Sequence, residues 1–167
     1  MIGTYHGQVY DTNSDVRIDA VNYAMISDDG MYTKDYDKAD VILIGVSRAG
    51  KTPTCLYLGL QYGIYAANYP LTEEDLFIEY NKIPGVLHPF RDKLFGLSIN
   101  PERLQRIREA RRPDSRYASL HTCRQEVSMA ETLFISKNIP YINVSTLSVE
   151  EIAATILHKT KIHRRIF

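Results

Sequence analysis

The sequence predicts an α/β fold in which a mostly parallel β-sheet is flanked by helices. Short apolar, β-branched segments alternate with segments of helical periodicity from residue 40 onward. Strands that are joined through helices pair in parallel, because the chain crosses over between them. A glycine-containing turn follows the first strand, at the edge of the sheet where α/β folds bind ligands. The pattern therefore predicts a site after the first strand.

Composition sets the class of protein before any motif is considered. The 167 residues suffice for one domain with its own core, and 44% are hydrophobic and 24% charged. The 20 Lys and Arg residues balance the 20 Asp and Glu residues, which excludes a general polyanion-binding surface, so we expect no nucleic-acid partner. An apolar run of membrane-spanning length, a secretory pattern and a disulfide framework are all missing, so we expect no membrane partner and a cytoplasmic location.

The start of the chain has little pattern. Residues 1–14 are polar and predict a loose arm, so the domain is expected to span residues 15–167. Ile18, Val21 and Met25 have the spacing of one helix face, and the Asp-Asp-Gly sequence that follows predicts a turn. The first element of the domain is thus expected to be a helix with this apolar face.

Four segments have the composition of buried strands. The clearest is the run before Gly45, which is apolar and β-branched without interruption, as in a strand that is buried on both faces. Tyr69-Pro70 is expected to end the second strand. The four predicted strands cover residues 40–44, 64–68, 93–99 and 140–144.

Start and stop signals predict the helices between these strands. Residues 51–62 precede Gly63, a typical helix end, and Asn100-Pro101 is a typical start for a helix that runs to Arg112. The remaining helices are predicted from Thr72, from a cap at Asp114 or Ser115, and from the capping box of residues 148–151.

One motif predicts a binding site for phosphate. Residues 45–52 match the pattern G-x-x-x-x-G-K-[ST] of phosphate-binding loops at every fixed position, between a predicted strand and a predicted helix. Gly45 and Gly50 are expected to let the backbone curl, so that its N–H groups point at phosphate oxygens. Lys51 would supply positive charge to the terminal phosphates, and the Thr52 hydroxyl would bind Mg²⁺. The motif predicts a P-loop kinase-like three-layer fold, with nucleotide-binding candidates Gly45, Val46, Ser47, Arg48, Ala49, Gly50, Lys51 and Thr52.

Two features depart from the common phosphate-binding loop. Pro53 has no N–H to offer a phosphate, although its ring is tolerated in a first helical turn. None of the predicted strands ends in an aspartate that would be the usual carboxylate partner of Mg²⁺. The base that deprotonates an acceptor hydroxyl is left open among Asp28, Asp29, Asp75 and Asp92. Asp29 is taken as the candidate.

The sequence also contains a dense basic segment, and arginine is suited to forked contacts with phosphate. Arg48, inside the loop, could reach a transferred phosphoryl group. The segment could bind inorganic phosphate or pyrophosphate, or clamp the donor as a lid, but its first four arginines are expected to be solvated charges on a helix face. The segment contains Arg103, Arg106, Arg108, Arg111, Arg112 and Arg116.

Strings outside the loop make the motif more specific. The loop reads GVSRAGKTP, and the chain also contains DDG at 28–30, AANYPL at 66–71, KLFGLSINPERL at 93–104, SRYASL at 115–120, CRQEV at 123–127 and SVEEIA at 148–153. Together they resemble the regulatory proteins for pyruvate, phosphate dikinase and phosphoenolpyruvate synthase, with Gly50-Lys51 and KLFGL similar to the synthase branch. The resemblance is to the C-terminal portion, since family members begin with a further N-terminal domain.

The resemblance implies a bifunctional kinase and pyrophosphorylase. Such proteins use ADP to phosphorylate a threonine of phosphoenolpyruvate synthase, which inactivates it. They remove this phosphate with inorganic phosphate, which releases pyrophosphate and restores activity. Mg²⁺ is the implied cofactor, with ADP as donor and inorganic phosphate as co-substrate. The catalytic candidates are Lys51, Thr52 and Arg48 from the loop and Asp29 from the family-like DDG string. The phosphate-binding candidates are Arg116 and Arg124, which are associated with the family-like strings SRYASL and CRQEV.

Two other functions fit the same loop. An ATP-dependent kinase of a small metabolite would use it with another donor and acceptor. A non-catalytic binding module would sense the nucleotide and dock a partner without transferring phosphate. The sequence leaves the oligomeric state open, with a homodimer as one alternative. It also leaves open whether one site serves both reactions.

Overall fold

Among the described residues, four parallel strands form one sheet in the order β2-β1-β3-β4. The strands are β1 (Val41–Val46), β2 (Ala66–Leu71), β3 (Leu94–Ser98) and β4 (Tyr141–Asn143). The structure is a computed structural model that describes residues 4–28, 33–162 and 164–165, with only the backbone path for residues 4–12 and 33–34. The parallel sheet confirms the predicted α/β fold.

In the part of the chain that the structure describes, five α-helices flank the sheet in two layers. The helices are α1 (Thr4–Ile26), α2 (Lys51–Tyr62), α3 (Pro101–Arg111), α4 (Leu120–Ser136) and α5 (Val149–Lys159). Helix α2 packs against β1, β2, α1 and α5, whereas α4 packs against β1, β3 and α3. The sheet therefore has α1, α2 and α5 on one face and α3 and α4 on the other. None of the described helices is both long and apolar enough to cross a bilayer.

Strand β1 lies at the centre of the core. All six of its residues are buried, as expected for an interior strand of a parallel sheet covered on both faces. Gly45 occupies this strand because a Cβ there would stand 2.5 Å from the Leu97 carbonyl oxygen of β3. Gly45 thus allows β1 and β3 to pack closely near the carboxyl edge of the sheet.

The N-terminal segment is helical where the structure describes it. Helix α1 begins at Thr4, so from residue 4 onward a helix stands where the polar sequence predicted a loose arm. The proposed start of a domain at residue 15 stays a prediction. The helix also buries another face: Ile18 and Met25 are 53% and 63% exposed, while Ala20 and Tyr23 are buried.

Small residues explain which face of α1 is buried. A Cβ added at Gly59 of α2 would approach the Ala20 backbone to 3.1 Å, so α1 and α2 come together at a seam of small side chains. Tyr23 stacks on Tyr65 with ring centroids 5.1 Å apart. A hydrophobicity pattern favours the large residues Ile18 and Met25 over this seam, and the prediction of the face was wrong for that reason.

Strand β2 runs through the proline that was expected to end it. Pro70 pairs with Gly45 in the parallel register between β2 and β1. Because β2 is an edge strand, its outer side needs no N–H donor, and a proline is tolerated there.

Two predicted helix starts also differ. The segment from Thr72 forms only one wide helical turn, Glu74–Ile78, although Thr72 and Asp75 exchange the expected cap hydrogen bonds. Helix α4 is capped by Ser119, whose Oγ accepts from the Thr122 N–H at 3.1 Å, and not by Asp114 or Ser115. The capping box at the start of α5 is confirmed.

Candidate functional site

The loop between β1 and α2 turns sharply through two left-handed residues. Arg48 has a φ of 74° and Gly50 a φ of 86°. Glycine adopts this conformation freely, whereas an arginine is strained in it. Gly45 was expected to serve the turn as well, but it is an extended residue of β1 that is required for close packing. The turn of the loop therefore uses Arg48 in place of a second glycine.

Lys51 lies over this loop at the first residue of α2. Its side chain is buried, and Nζ donates to the Val46 carbonyl oxygen at 2.7 Å. The Ala49 N–H donates to the same oxygen at 3.3 Å. The loop thus encloses the ammonium group at the start of a helix, where the helix dipole adds positive potential.

A carboxylate reaches Thr52 from the end of α1. The Thr52 hydroxyl donates to Asp28 Oδ1 at 2.8 Å. Asn68 of β2 donates through Nδ2 to Thr52 Oγ1 at 3.1 Å and also to Asp28. Its Oδ1 is buried without a hydrogen-bond partner among the described residues. Three oxygen-bearing side chains therefore meet beside the loop.

This group fits a magnesium ion. Mg²⁺ prefers oxygen ligands and is commonly held by one or two carboxylates together with phosphate oxygens and water. Asp28 and Thr52 would hold it, and the orphaned oxygen of Asn68 is a polar atom that gains from a cation nearby. The predicted strand ends lack a carboxylate, and the carboxylate beside Thr52 belongs instead to Asp28, a residue after a helix.

A buried arginine holds the other side of the loop. Arg108 of α3 is 0% exposed and forms an ion pair with Glu126 of α4 at 2.6 Å. Its Nε and Nη2 donate to the Ser47 carbonyl oxygen at 3.3 and 3.2 Å, and its Nη1 donates to the Tyr117 carbonyl oxygen at 3.0 Å. The side-chain oxygens of Ser47 and Tyr117 are 2.6 Å apart. One guanidinium thus ties α3, α4 and the loop together.

Arg108 corrects a prediction from the sequence. It was expected on a solvated helix face with Arg103, Arg106 and Arg111, and those three are indeed exposed. Burial of Arg108 disfavours its charged form, but the hydrogen bond and negative charge of Glu126 outweigh this effect and raise its pKa. The side chain stays charged inside the protein because its donors are satisfied.

The loop opens into a cleft of about 960 Å³ at the carboxyl edge of the sheet. Both the lysine–threonine side and the arginine side of the loop face this space. The lining comprises Asp28, Ser47, Arg48, Gly50, Lys51, Thr52, Pro53, Pro70, Leu71, Thr72, Glu73, Arg111, Arg112, Tyr117 and Glu126. The cleft is therefore rich in charge and hydroxyl groups, as suits a phosphorylated ligand.

The other predicted site residues fall in different places. Asp29 lies outside the described residues. Asp75 accepts from the Tyr69 hydroxyl at 3.0 Å and from the Thr72 N–H at 3.0 Å, so it has a local structural role. Asp92 lines a separate cavity that includes Val41 and Leu94, at the opposite edge of the sheet.

Neither phosphate-binding candidate is part of the cleft lining that the structure describes. Arg116 is exposed, and Arg124 is an exposed residue 3.5 Å from Glu102. Their assignment to phosphate stays a prediction. Arg111 was expected on the solvated helix face, yet it lines the cleft together with Arg112. Their spacing could have indicated this position, because residues three and four after Arg108 lie next to it at the end of the helix.

Comparison with known proteins identifies relatives of this chain. A family model described as kinase/pyrophosphorylase matches residues 2–157. A relative from Alkalilimnicola ehrlichii is 56% identical over 167 residues, which is 100% of this chain and 60% of the relative. Another from Laribacter hongkongensis is 56% identical over 164 residues, 98% of this chain and 59% of the relative.

A third relative, from Halorhodospira halophila, is 52% identical over 166 residues, 99% of this chain and 60% of the relative. All three are provisionally named phosphoenolpyruvate synthase regulatory proteins. The chain spans about 60% of the length of these curated relatives. The family resemblance stated from the sequence is thereby confirmed, and this chain belongs to the kinase/pyrophosphorylase family.

Proposed function

We propose that this protein phosphorylates a threonine of phosphoenolpyruvate synthase with ADP and removes that phosphate by phosphorolysis. The names of the relatives supply the target, and the family supplies the two reaction classes. The observation that carries the proposal is the placement of Lys51, Thr52 and Asp28 around one loop at the mouth of the cleft. This arrangement suits a diphosphate together with a divalent cation.

Phosphoryl transfer from ADP requires alignment more than covalent chemistry. The threonine oxygen of the target bonds to the β-phosphorus, the bond from that phosphorus to the bridging oxygen breaks, and AMP leaves. The hydroxyl proton passes to a base, for which Asp29 remains the candidate from the sequence. Lys51 stabilises the negative charge on the phosphate oxygens throughout.

Magnesium would be held by Asp28 and Thr52. When bound, it neutralises charge on the transferred group. Asn68 orients both ligands, because its amide contacts the carboxylate and the hydroxyl together. Arg48, which lines the cleft from the loop, adds a guanidinium within the same space.

The experiment combines the chain with purified phosphoenolpyruvate synthase, Mg²⁺ and ADP labelled at the β-phosphate. We expect label on a threonine of the synthase, located by mass spectrometry. Lys51→Ala should abolish the label and weaken ADP binding at least about tenfold by calorimetry, because a charge-assisted contact to phosphate is lost. The matched control is Lys82→Ala, whose side chain is 70% exposed on another surface.

The same assay separates the alternatives. Inhibition of the synthase without label would indicate a nucleotide-gated binding module. Transfer from ATP to a small metabolite, with the synthase unlabelled, would indicate a metabolite kinase. Unchanged ADP affinity in folded Lys51→Ala protein would overturn the assignment of the loop.

A further inference from the structure

We propose that an apolar ridge formed by Phe77, Ile78 and Tyr80 is the docking surface for the protein substrate, next to the mouth of the cleft. The ridge belongs to the segment between β2 and β3, and none of its three residues lines the cleft. Its occupant is the surface of phosphoenolpyruvate synthase around the threonine. The proposal rests on the proposed function, because it identifies how the proposed target is held.

The ridge is a cluster of large apolar side chains on the surface. Phe77, Ile78 and Tyr80 are 36%, 75% and 52% exposed within four consecutive positions. Isolated exposed hydrophobic residues are ordinary, whereas several large ones together mark a contact surface. Aromatic residues are also enriched at protein–protein interfaces. The ridge therefore has the composition of an interface.

Buried neighbours hold the ridge in place. Leu76 and Leu87 of the same segment belong to the hydrophobic core, and Ser136 of α4 donates a hydrogen bond to Asn81. The ridge side chains are therefore exposed on an ordered support, not because the segment is loosely packed. A surface that is ordered before binding loses less conformational entropy when a partner docks.

The ridge continues from the rim of the cleft. Glu73 lines the cleft. The Glu79 N–H donates to the Glu74 carbonyl oxygen at 2.9 Å, which is the bond between residues i and i+5 of a wide helical turn. Phe77 and Ile78 therefore stand about one turn beyond Glu73, on the same side of the segment. At a rise of about 1.5 Å per residue, Ile78 is about 8 Å further along this turn.

A folded protein substrate would cover this ridge. The side chain of a threonine is short, so the protein surface that carries it must approach the mouth of the cleft. A stable protein–protein interface covers about 800 Å² on each partner, which corresponds to a disc of about 16 Å in radius. A small metabolite, by contrast, would fit within the cleft and leave the ridge exposed. The ridge thus lies where a protein target, and not a metabolite, makes contact.

Carboxylates around the ridge set the chemistry of the partner surface. Residues 71–80 contain four acidic residues and no Lys or Arg. Glu73 and Glu74 are exposed and form no ion pair among the described residues, while Glu79 pairs with Lys82 at 3.4 Å. The ridge is therefore complementary to an apolar patch bordered by Lys or Arg. In a symmetric dimer through the ridge, the same carboxylates would face each other and repel, which disfavours a second copy as the occupant.

The test measures the rate at which label from ADP enters the synthase as the synthase concentration is raised. The double variant I78S/Y80S removes most of the ridge, and its control I18S/L60S removes two exposed apolar residues of α1 and α2. We expect I78S/Y80S to raise the KM for the synthase about tenfold or more with kcat unchanged, because only binding is lost. Binding of the synthase, measured by calorimetry, should weaken by the same factor.

The control variant should keep the wild-type KM and the wild-type affinity for the synthase. ADP affinity should stay unchanged in both double variants, since none of the four substituted residues lines the cleft. Unchanged ADP affinity also shows that I78S/Y80S is folded, so a raised KM reports on docking.

A single charge tests the chemistry of the partner surface. E74K reverses an exposed charge beside the ridge, outside the cleft lining. We expect a higher KM for the synthase at low salt, and the difference from the wild type should shrink at high salt, because ions screen exposed charges. An unchanged KM in E74K at low salt overturns the basic character of the partner surface.

The outcomes separate the docking surface from the proposed function. Wild-type KM and wild-type binding in I78S/Y80S overturn the docking surface, while label on the synthase still supports the proposed function. Binding of the synthase that is lost in I78S/Y80S, without any label in the wild type, overturns the proposed function and supports the docking surface. A wild-type dimer that dissociates in I78S/Y80S, measured by sedimentation, assigns the ridge to a second copy and overturns the target as its occupant.

Discussion

Replacing Glu126 by alanine should destabilise the protein by about 3–5 kcal/mol, because it leaves a buried guanidinium without its carboxylate. The Arg108 side chain is 0% exposed and that of Glu126 7% exposed, so the ion pair is largely shielded from water. The variant loses two hydrogen bonds, at 2.6 and 3.4 Å. Bonds to a charged group contribute about 1.5–3 kcal/mol each, which gives a loss in the same range.

This loss is large against the stability of a single domain, which is typically about 5–15 kcal/mol. The assay is urea unfolding followed by circular dichroism, with the dependence of the unfolding free energy on urea checked for constancy. Glu126→Gln keeps one oxygen acceptor and should lose roughly half as much. The matched control is Glu102→Ala, whose pair with Arg124 is more than half exposed and contributes about 0–1 kcal/mol.

A Glu126→Ala protein whose free energy of unfolding is within about 1 kcal/mol of the wild type would refute the reasoning, because removing the partner of a buried charge costs about 3–5 kcal/mol. A second measurement follows the loop. Arg108 also holds the Ser47 carbonyl oxygen, so a folded Glu126→Ala protein should bind ADP more weakly than Glu102→Ala does.

Three further predictions follow from packing and burial. Gly45→Ala should lower the free energy of unfolding by about 1–3 kcal/mol, because its Cβ would stand 2.5 Å from a carbonyl oxygen of β3. Gly85→Ala should be neutral, because the space around Gly85 is open. Urea unfolding of both variants tests this. Burial raises the pKa of the Cys55 and Cys123 thiols, so a disulfide reagent should label both only as fast as the protein unfolds. Burial raises the pKa of Tyr23 to about 12, above its value of 10.0 in an unfolded chain, so its contribution to stability is present below about pH 10 and is lost as pH rises toward 12; Tyr23→Phe should flatten that part of the pH profile.

Local patterns were sufficient for most of the fold. Signals of a few contiguous residues predicted three features that the structure confirms: the apolar strand β1, the Asn100-Pro101 start of α3 and the capping box of α5. The failures depended on distant partners. Pro70 continues β2 only because that strand lies at the edge of the sheet, and α1 buries Ala20 only because Gly59 is opposite.

The site follows the same division. The loop motif located Lys51 and Thr52 beside the cleft, because a phosphate-binding loop is contiguous in sequence. Asp28 is 24 residues from Thr52, and Arg108 is 18 residues from Glu126. Contacts over such separations are set by how helices pack on the sheet, and charge alone made Arg108 look like its solvated neighbours.

Asp28, which would hold the proposed magnesium ion, follows the end of helix α1. In this fold the carboxylate beside Thr52 is attached to the end of a helix, and the seat of that helix is the contact between Ala20 and Gly59. A larger residue at Gly59 would lift α1 and carry Asp28 away while leaving Lys51 where it is. Under the proposed function, the requirement for magnesium would thus depend on a seam between helices, and the affinity for the nucleotide would depend on the loop.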